Sequence, residues 1–180
     1  EAALIDPAIQ ASPGYRDWQP FGQVPAYRDG EVEMFESGAI VLHIADQSEA
    51  LAPRDASGRA RVTSWVIAAL NSIEPHVQNY VHLDAFHAGE AWTEARRPQA
   101  LAMLEGRLAS LAAWLGEKDY LEGRFTAGDL MMTTVLRNLR ETDIVAKRPR
   151  LAAYVARCQA RPAFQKALAD HMRPFEAHAA

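Results

Sequence analysis

The stretch Phe21–Ile40, FGQVPAYRDGEVEMFESGAI, admits few local folds. Val24-Pro25-Ala26-Tyr27 is short and β-prone, and its proline belongs at a strand start rather than inside a ladder. Asp29-Gly30 suits a two-residue hairpin turn whose central residues take positive φ. Val32-Glu33-Met34-Phe35 alternates apolar and polar side chains as a returning strand does. The apolar run Ala39-Ile40-Val41-Leu42 then marks a helix, with Glu36-Ser37 at its N-terminal end. The segment predicts strand, turn, strand and helix in immediate succession.

This order has a chemical reading. If Val24-Pro25 is cis, the backbone of Val24 turns outward and can pair with an extended peptide. Beside it, Ser37 and the free N–H groups of its helix suit a carboxylate, and Glu36 suits an ammonium. A ligand with both groups on one carbon, followed by a peptide backbone, matches. That describes the γ-glutamyl end of glutathione. Taken singly, the parts say less: cis is about one in twenty X-Pro bonds in folded proteins, a Ser before a helix is an ordinary N-cap, and a lone Glu is solvated surface. Their company in one segment, in the right order, carries the reading.

The segment resembles the glutathione-binding stretch of the cytosolic glutathione transferases, whose usual form is NPxGxVPxLxDGxxxLxESxAI. Pro20, Gly22, Val24-Pro25, Asp29-Gly30, Glu36-Ser37 and Ala39-Ile40 stand at the matching places. Gln19 replaces the usual Asn, and Tyr27 an aliphatic residue; neither is a ligand-facing position. The resemblance implies that Val24 pairs with the cysteinyl backbone and that Glu36 and Ser37 hold the γ-glutamyl group. It brings Gln23 within reach of the tripeptide and makes Pro25 part of the same site. It also implies a thioredoxin-like α/β domain, of which only the later part is present, followed by an all-helical domain. Leu4-Ile5 are expected to be the tail of that domain's second strand. The family's opening strand and helix have no counterpart in these residues, and its thiol-activating Tyr, Ser or Cys lies there. The catalytic residue is therefore unknown from this chain.

Composition removes several classes. The 180 residues are 49% hydrophobic, enough to bury a core of one large or two small domains. The net charge is −4 and no Lys/Arg-rich run occurs, which gives nucleic-acid binding no electrostatic support. The single cysteine, Cys158, rules out an internal disulfide framework and suits a reducing compartment, so a cytoplasmic location is expected. No apolar stretch approaches the roughly 18 residues that span a membrane, and the first residues lack a signal-peptide layout.

Residues 1–46 are read as the partial glutathione-binding domain, 47–58 as a linker rich in Pro, Gly, Ser and charge, and 59–180 as the helical domain. Val62, Trp65, Val66, Ala69, Ile73, Val77 and Tyr80 recur at helical spacing, with Pro75 expected to kink or interrupt the helix. Leu101, Leu104, Leu108, Leu111 and Leu115 form a second stripe, read as intramolecular core. Gly116 stops that helix. Thr126 and Asp129 make a capping box, flanked by Phe125 and Leu130 at hydrophobic-staple positions; a Ser/Thr-x-x-Asp box is also common in the helical domain of the resembled family. Leu151, Tyr154, Val155 and Cys158 form another face, and Pro162 starts a further helix.

Other constellations carry less. His76, His82 and His87 are spaced six and five residues apart, which puts no two on one helical turn, so no metal is expected. Cys158, on an apolar face, reads as an inert core thiol. Trp65, Tyr80, Phe86, Trp92 and Trp114 are core candidates, one or two of which line an apolar electrophile pocket by the resemblance. Arg16 is read as solvated surface, within reach of a glycyl carboxylate. The expected function is glutathione transfer to a small hydrophobic electrophile by a homodimer engaged in detoxification. A scaffold on the same fold, or another glutathione-dependent reaction such as isomerisation, peroxide reduction or disulfide exchange, is the alternative.

Overall fold

A computed structural model of the chain describes residues 6–179, with side chains to 176. Leu4-Ile5, expected in a strand, lie outside the described residues. One compact unit takes in the chain up to Ile44 together with Ala160 onward, and the other is Ala45–Gln159.

In the first unit two short helices come first, α1 (Pro7–Ala11) and α2 (Pro13–Arg16), capped by the side chains of Asp6 and Ser12. Strands β1 (Ala26–Asp29) and β2 (Val32–Phe35) then pair antiparallel, with Ala26 opposite Phe35 and Asp29 opposite Val32. Helix α3 (Ser37–Asp46) follows at once. The first strand starts two residues later than the sequence suggests, because Pro25 has no N–H to give to the ladder. The turn is also displaced by one residue. Asp29 remains paired in β1, and Gly30-Glu31 form the loop, with positive φ at Gly30 (57°) and not at Glu31. Glycine at the first central position is the requirement of a type II′ turn. The last helix, α9 (Pro162–Ala179), groups with this unit rather than with the helices that precede it in sequence.

The second unit is helical. Helix α4 (Ala56–Ala68) begins inside the expected linker, three residues before Arg59, capped by Asp55 Oδ1, which accepts from Gly58 N–H at 2.7 Å. A π-helical stretch, Ala69–Ile73, separates it from α5 (Glu74–Ala85). The interruption expected at Pro75 thus falls just ahead of it, and the proline sits in the first turn of α5, where a missing N–H costs nothing. Val62, Val66, Ala69, Ile73 and Val77 are buried along this run. Helix α6 (Ala91–Leu115) buries Leu104, Leu108, Leu111 and Leu115, and stops at Gly116 with φ 51°. Helices α7 (Ala127–Leu136) and α8 (Pro149–Gln159) complete the core with Met131, Met132, Val135, Leu151, Tyr154 and Cys158.

The capping box at the start of α7 is formed: Thr126 Oγ1 accepts from the helix and Asp129 Oδ2 accepts from Thr126 N–H at 2.9 Å. The aromatics correct an expectation. Of the five core candidates, Phe86 is 70% exposed, Trp92 and Trp114 are exposed, and Trp65 and Tyr80 only half-buried. For the tryptophans the reason is the indole N–H, which needs an acceptor when it leaves water. Trp65 gives its N–H to Glu122 Oε1 and Trp114 to Leu121 O, with the two rings 5.3 Å apart at the edge of the core. The buried stripe itself is filled by Leu, Val, Ile and Met.

Candidate functional site

The hairpin register sets the geometry of the site. Because Ala26 faces Phe35, the residues just outside that pair, Val24-Pro25 before β1 and Glu36-Ser37 after β2, flank the open end of the hairpin. The Val24–Pro25 bond is cis. Gln23, Val24, Pro25 and Glu36 are exposed there and Ser37 is half-buried. All five expected glutathione-binding residues therefore share one end of one unit.

Helix α3 begins one residue earlier than an N-cap Ser37 would place it. The Glu36 carbonyl accepts from Ile40 N–H at 3.0 Å, which makes Glu36 the capping position and Ser37 the first helical residue. The N–H groups of Ser37, Gly38 and Ala39 precede that first closed turn and have no intrahelical acceptor. They supply partial positive charge beside the Ser37 hydroxyl. Glu36 has φ 70°, the one positive value at a non-glycine among the described residues. A side chain in the left-handed region costs roughly 1–2 kcal/mol, and such conformations concentrate where ligands are held. The arrangement offers a carboxylate to a cation and a set of donors to an anion, side by side.

Two residues not singled out for the site hold its loop. Gln19 is 2% exposed, and its Oε1 accepts from Phe21 N–H at 2.8 Å and from Gln23 N–H at 3.1 Å. The Tyr15 hydroxyl, buried below, donates to Gln23 O at 2.6 Å. The sequence did carry a signal for Gln19: it occupies the place of an amide in the family pattern, and only its carbonyl can serve two backbone donors. Arg16 is exposed, with Nη1 3.5 Å from Pro20 O.

The three histidines each have a local partner. His76 Nε2 lies 3.2 Å from Arg107 Nε, His82 stands edge-on to Phe86, and His87 Nδ1 lies 2.8 Å from Glu90 Oε1. Among the described residues no group of three or more His, Cys, Asp or Glu side chains is placed to hold a metal ion. Cys158 is buried, and burial pushes its thiol above the ordinary range, which disfavours the reactive thiolate. Among the described residues no helix is long and apolar enough to cross a membrane.

No family model matches the chain. Among curated proteins, the chain is 30% identical over 166 residues to a glutathione S-transferase of Hyoscyamus muticus, covering 83% of this chain and 75% of that one. It is 31% identical over 182 residues to glutathione S-transferase F11 of Arabidopsis thaliana, covering 90% and 81%. Among solved structures, poplar glutathione transferase F1, as a Ser-to-Cys mutant, superposes with a TM-score of 0.81 at 26% identity, over 92% of this chain and 81% of that one. A glutathione transferase of Burkholderia graminis, solved with two glutathione molecules per subunit, superposes at 0.79 with 26% identity, over 88% and 71%. The chain thus has the fold of these proteins, a thioredoxin-like α/β domain, to which the hairpin belongs, followed by a helical domain.

Proposed function

The chain belongs to the glutathione transferase family, and on that premise we propose that glutathione binds at the open end of the hairpin. The protein is an enzyme, a transferase of glutathione. In the proposed complex Glu36 takes the γ-glutamyl ammonium, while the Ser37 hydroxyl and the N–H groups of residues 37–39 take the adjoining carboxylate. The Val24 backbone pairs with the cysteinyl unit, Gln23 lies alongside the tripeptide, and Pro25 ends the peptide-pairing edge before β1. The observation that carries this reading is the junction at Glu36, where a carboxylate and the open N-terminus of α3 stand on consecutive residues. A ligand with opposite charges on one carbon uses both.

A cysteinyl thiol with a pKa near 8.5 is mostly protonated at neutral pH, so transfer requires a group that favours the thiolate. None of these five residues is assigned that role. The acceptor is a small hydrophobic electrophile, and holding it beside the sulfur converts a bimolecular encounter into a reaction within one complex. The same proposal includes residues 1–46 as the glutathione-binding domain and 59–180 as the helical one, with 47–58 between them. It also includes a homodimer, a cytoplasmic location, a role in detoxification and chemistry without a metal. Two-fold dimers are the commonest oligomers, and sedimentation at micromolar concentration tests this one.

Calorimetric titration of glutathione into Glu36→Ala and Ser37→Ala proteins tests the site. Hydrogen bonds to charged groups contribute roughly 1.5–3 kcal/mol, so affinity should fall by about tenfold or more. Unchanged affinity in both variants ends the assignment.

A further inference from the structure

Three successive backbone donors converge on Gln19. Its main-chain carbonyl accepts from Gly22 N–H at 3.0 Å, and its side-chain Oε1 accepts from Phe21 N–H at 2.8 Å and Gln23 N–H at 3.1 Å. A carbonyl oxygen has two lone pairs, and both on Oε1 are in use. The side chain is 2% exposed, so these bonds are protected from water. The other main-chain polar group of Gln23, its carbonyl, accepts from the Tyr15 hydroxyl at 2.6 Å. Both faces of the Gln23 main chain are thereby tied to the interior of the unit.

The consequence falls on the next residue. The peptide plane that contains Gln23 C=O also contains Val24 N–H, and in a trans unit the two point in opposite directions. Val24–Pro25 is the one cis bond among the described residues, so the Gln23–Val24 unit is trans. Anchoring the carbonyl inward on Tyr15 therefore aims the Val24 N–H outward, at a residue that is itself 57% exposed. That N–H is the group a peptide carbonyl would meet.

We propose that Tyr15 and Gln19 are positioning residues for glutathione: Gln19 shapes the Phe21–Gln23 loop, and the Tyr15 hydroxyl orients the Gln23–Val24 peptide so that Val24 N–H donates to the cysteinyl carbonyl of the ligand. This rests on the assignment of Val24 to the peptide-pairing edge. Neither side chain touches the ligand.

The test compares two ligands on the wild type, Tyr15→Phe and, as a second route should the first variant fold poorly, Gln19→Met. One ligand is glutathione. The other is its (E)-alkene isostere at the cysteinyl–glycyl amide, which keeps the γ-glutamyl group and lacks the cysteinyl carbonyl. The Tyr15→Phe protein should bind glutathione about threefold to tenfold more weakly, the range of one ordinary hydrogen bond, while its affinity for the isostere stays at the wild-type value. Gln19→Met should show the same selective loss. Equal weakening toward both ligands would mean that the residues only support the fold, and would overturn the proposal. Unchanged glutathione affinity in the variants, with Glu36→Ala still impaired, would overturn it and leave the functional assignment standing. A wild type that binds neither ligand would remove the assignment and this inference together.

Discussion

The carboxylate of Asp129 lies 3.0 Å from the Tyr154 hydroxyl and accepts its hydrogen bond, tying the first turn of α7 to the middle of α8. The same Oδ1 accepts from Leu121 N–H at 2.9 Å, and Oδ2 accepts from Thr126 N–H at 2.9 Å and from the Thr126 hydroxyl at 3.2 Å. Asp129 and Thr126 have no exposed surface, so each donor that converges on this carboxylate depends on it.

Replacing Asp129 with Ala should therefore cost far more than a surface cap. The cap itself contributes about 1 kcal/mol, and each buried donor left without a partner adds about 1–3 kcal/mol. A loss of at least ~3 kcal/mol is expected by urea denaturation, against about 0.5–1.5 kcal/mol for Tyr154→Phe, which removes one bond. Comparable losses in the two variants would contradict this account.

Burial pushes the Asp129 carboxyl above its ordinary value, against the opposing pull of its hydrogen bonds. The native chain then keeps this proton at pH values where the unfolded chain has released it. Stability from this group falls as pH rises through that window. The window opens near 3.8 and closes at the raised value. The stability advantage of the wild type over Asp129→Asn should be greater at about pH 4 than at neutral pH. An advantage that grows with pH would mean that the donors outweigh burial.

Glu36→Gly separates stability from binding. Glycine relieves the left-handed backbone at φ 70°, a gain of roughly 1–2 kcal/mol partly offset by about 0.4–1 kcal/mol of added unfolded-state freedom. The variant should melt no lower than the wild type while its glutathione affinity falls by about tenfold. A clear drop in melting temperature would show that the Glu36 side chain supports the fold.

Gly128 lies at a close approach of α4 and α7, where an added Cβ would stand 2.6 Å from Trp65 Cβ. Both partners sit on helix backbones that cannot yield cheaply. Gly128→Ala should destabilise by about 1–3 kcal/mol, the ordinary range for overpacking. Gly106, where an added Cβ meets nothing, is the control: Gly106→Ala on the exposed side of α6 should stabilise slightly.

Cys158 should resist alkylation in the native protein at neutral pH and react on unfolding. It is buried, and burial raises its thiol pKa. Rapid labelling under native conditions, followed by mass spectrometry, would contradict both the packing and the pKa direction.

Much of this architecture is legible from short-range sequence. The hairpin and α3, the leucine stripe of α6 and the Thr126–Asp129 box each depend on residues a few positions apart, so periodicity and capping chemistry announce them. The open end of the hairpin is legible for the same reason, since Val24-Pro25 and Glu36-Ser37 flank two strands joined by a two-residue turn. Other features depend on where segments meet. No pattern shows that Asp129 accepts from Leu121 and Tyr154, because one partner lies eight residues back and the other twenty-five ahead. Nor does it show that Trp65 and Trp114 stand at the core's edge, where Glu122 and the Leu121 carbonyl reach their indoles. The one-residue shift of the turn to Gly30-Glu31 and the left-handed Glu36 are likewise outcomes of strand register. Hydrophobic spacing specifies which face of an element is buried, a local property. Which polar atoms meet inside is decided by distances of about 3 Å between groups that only the packed chain brings together.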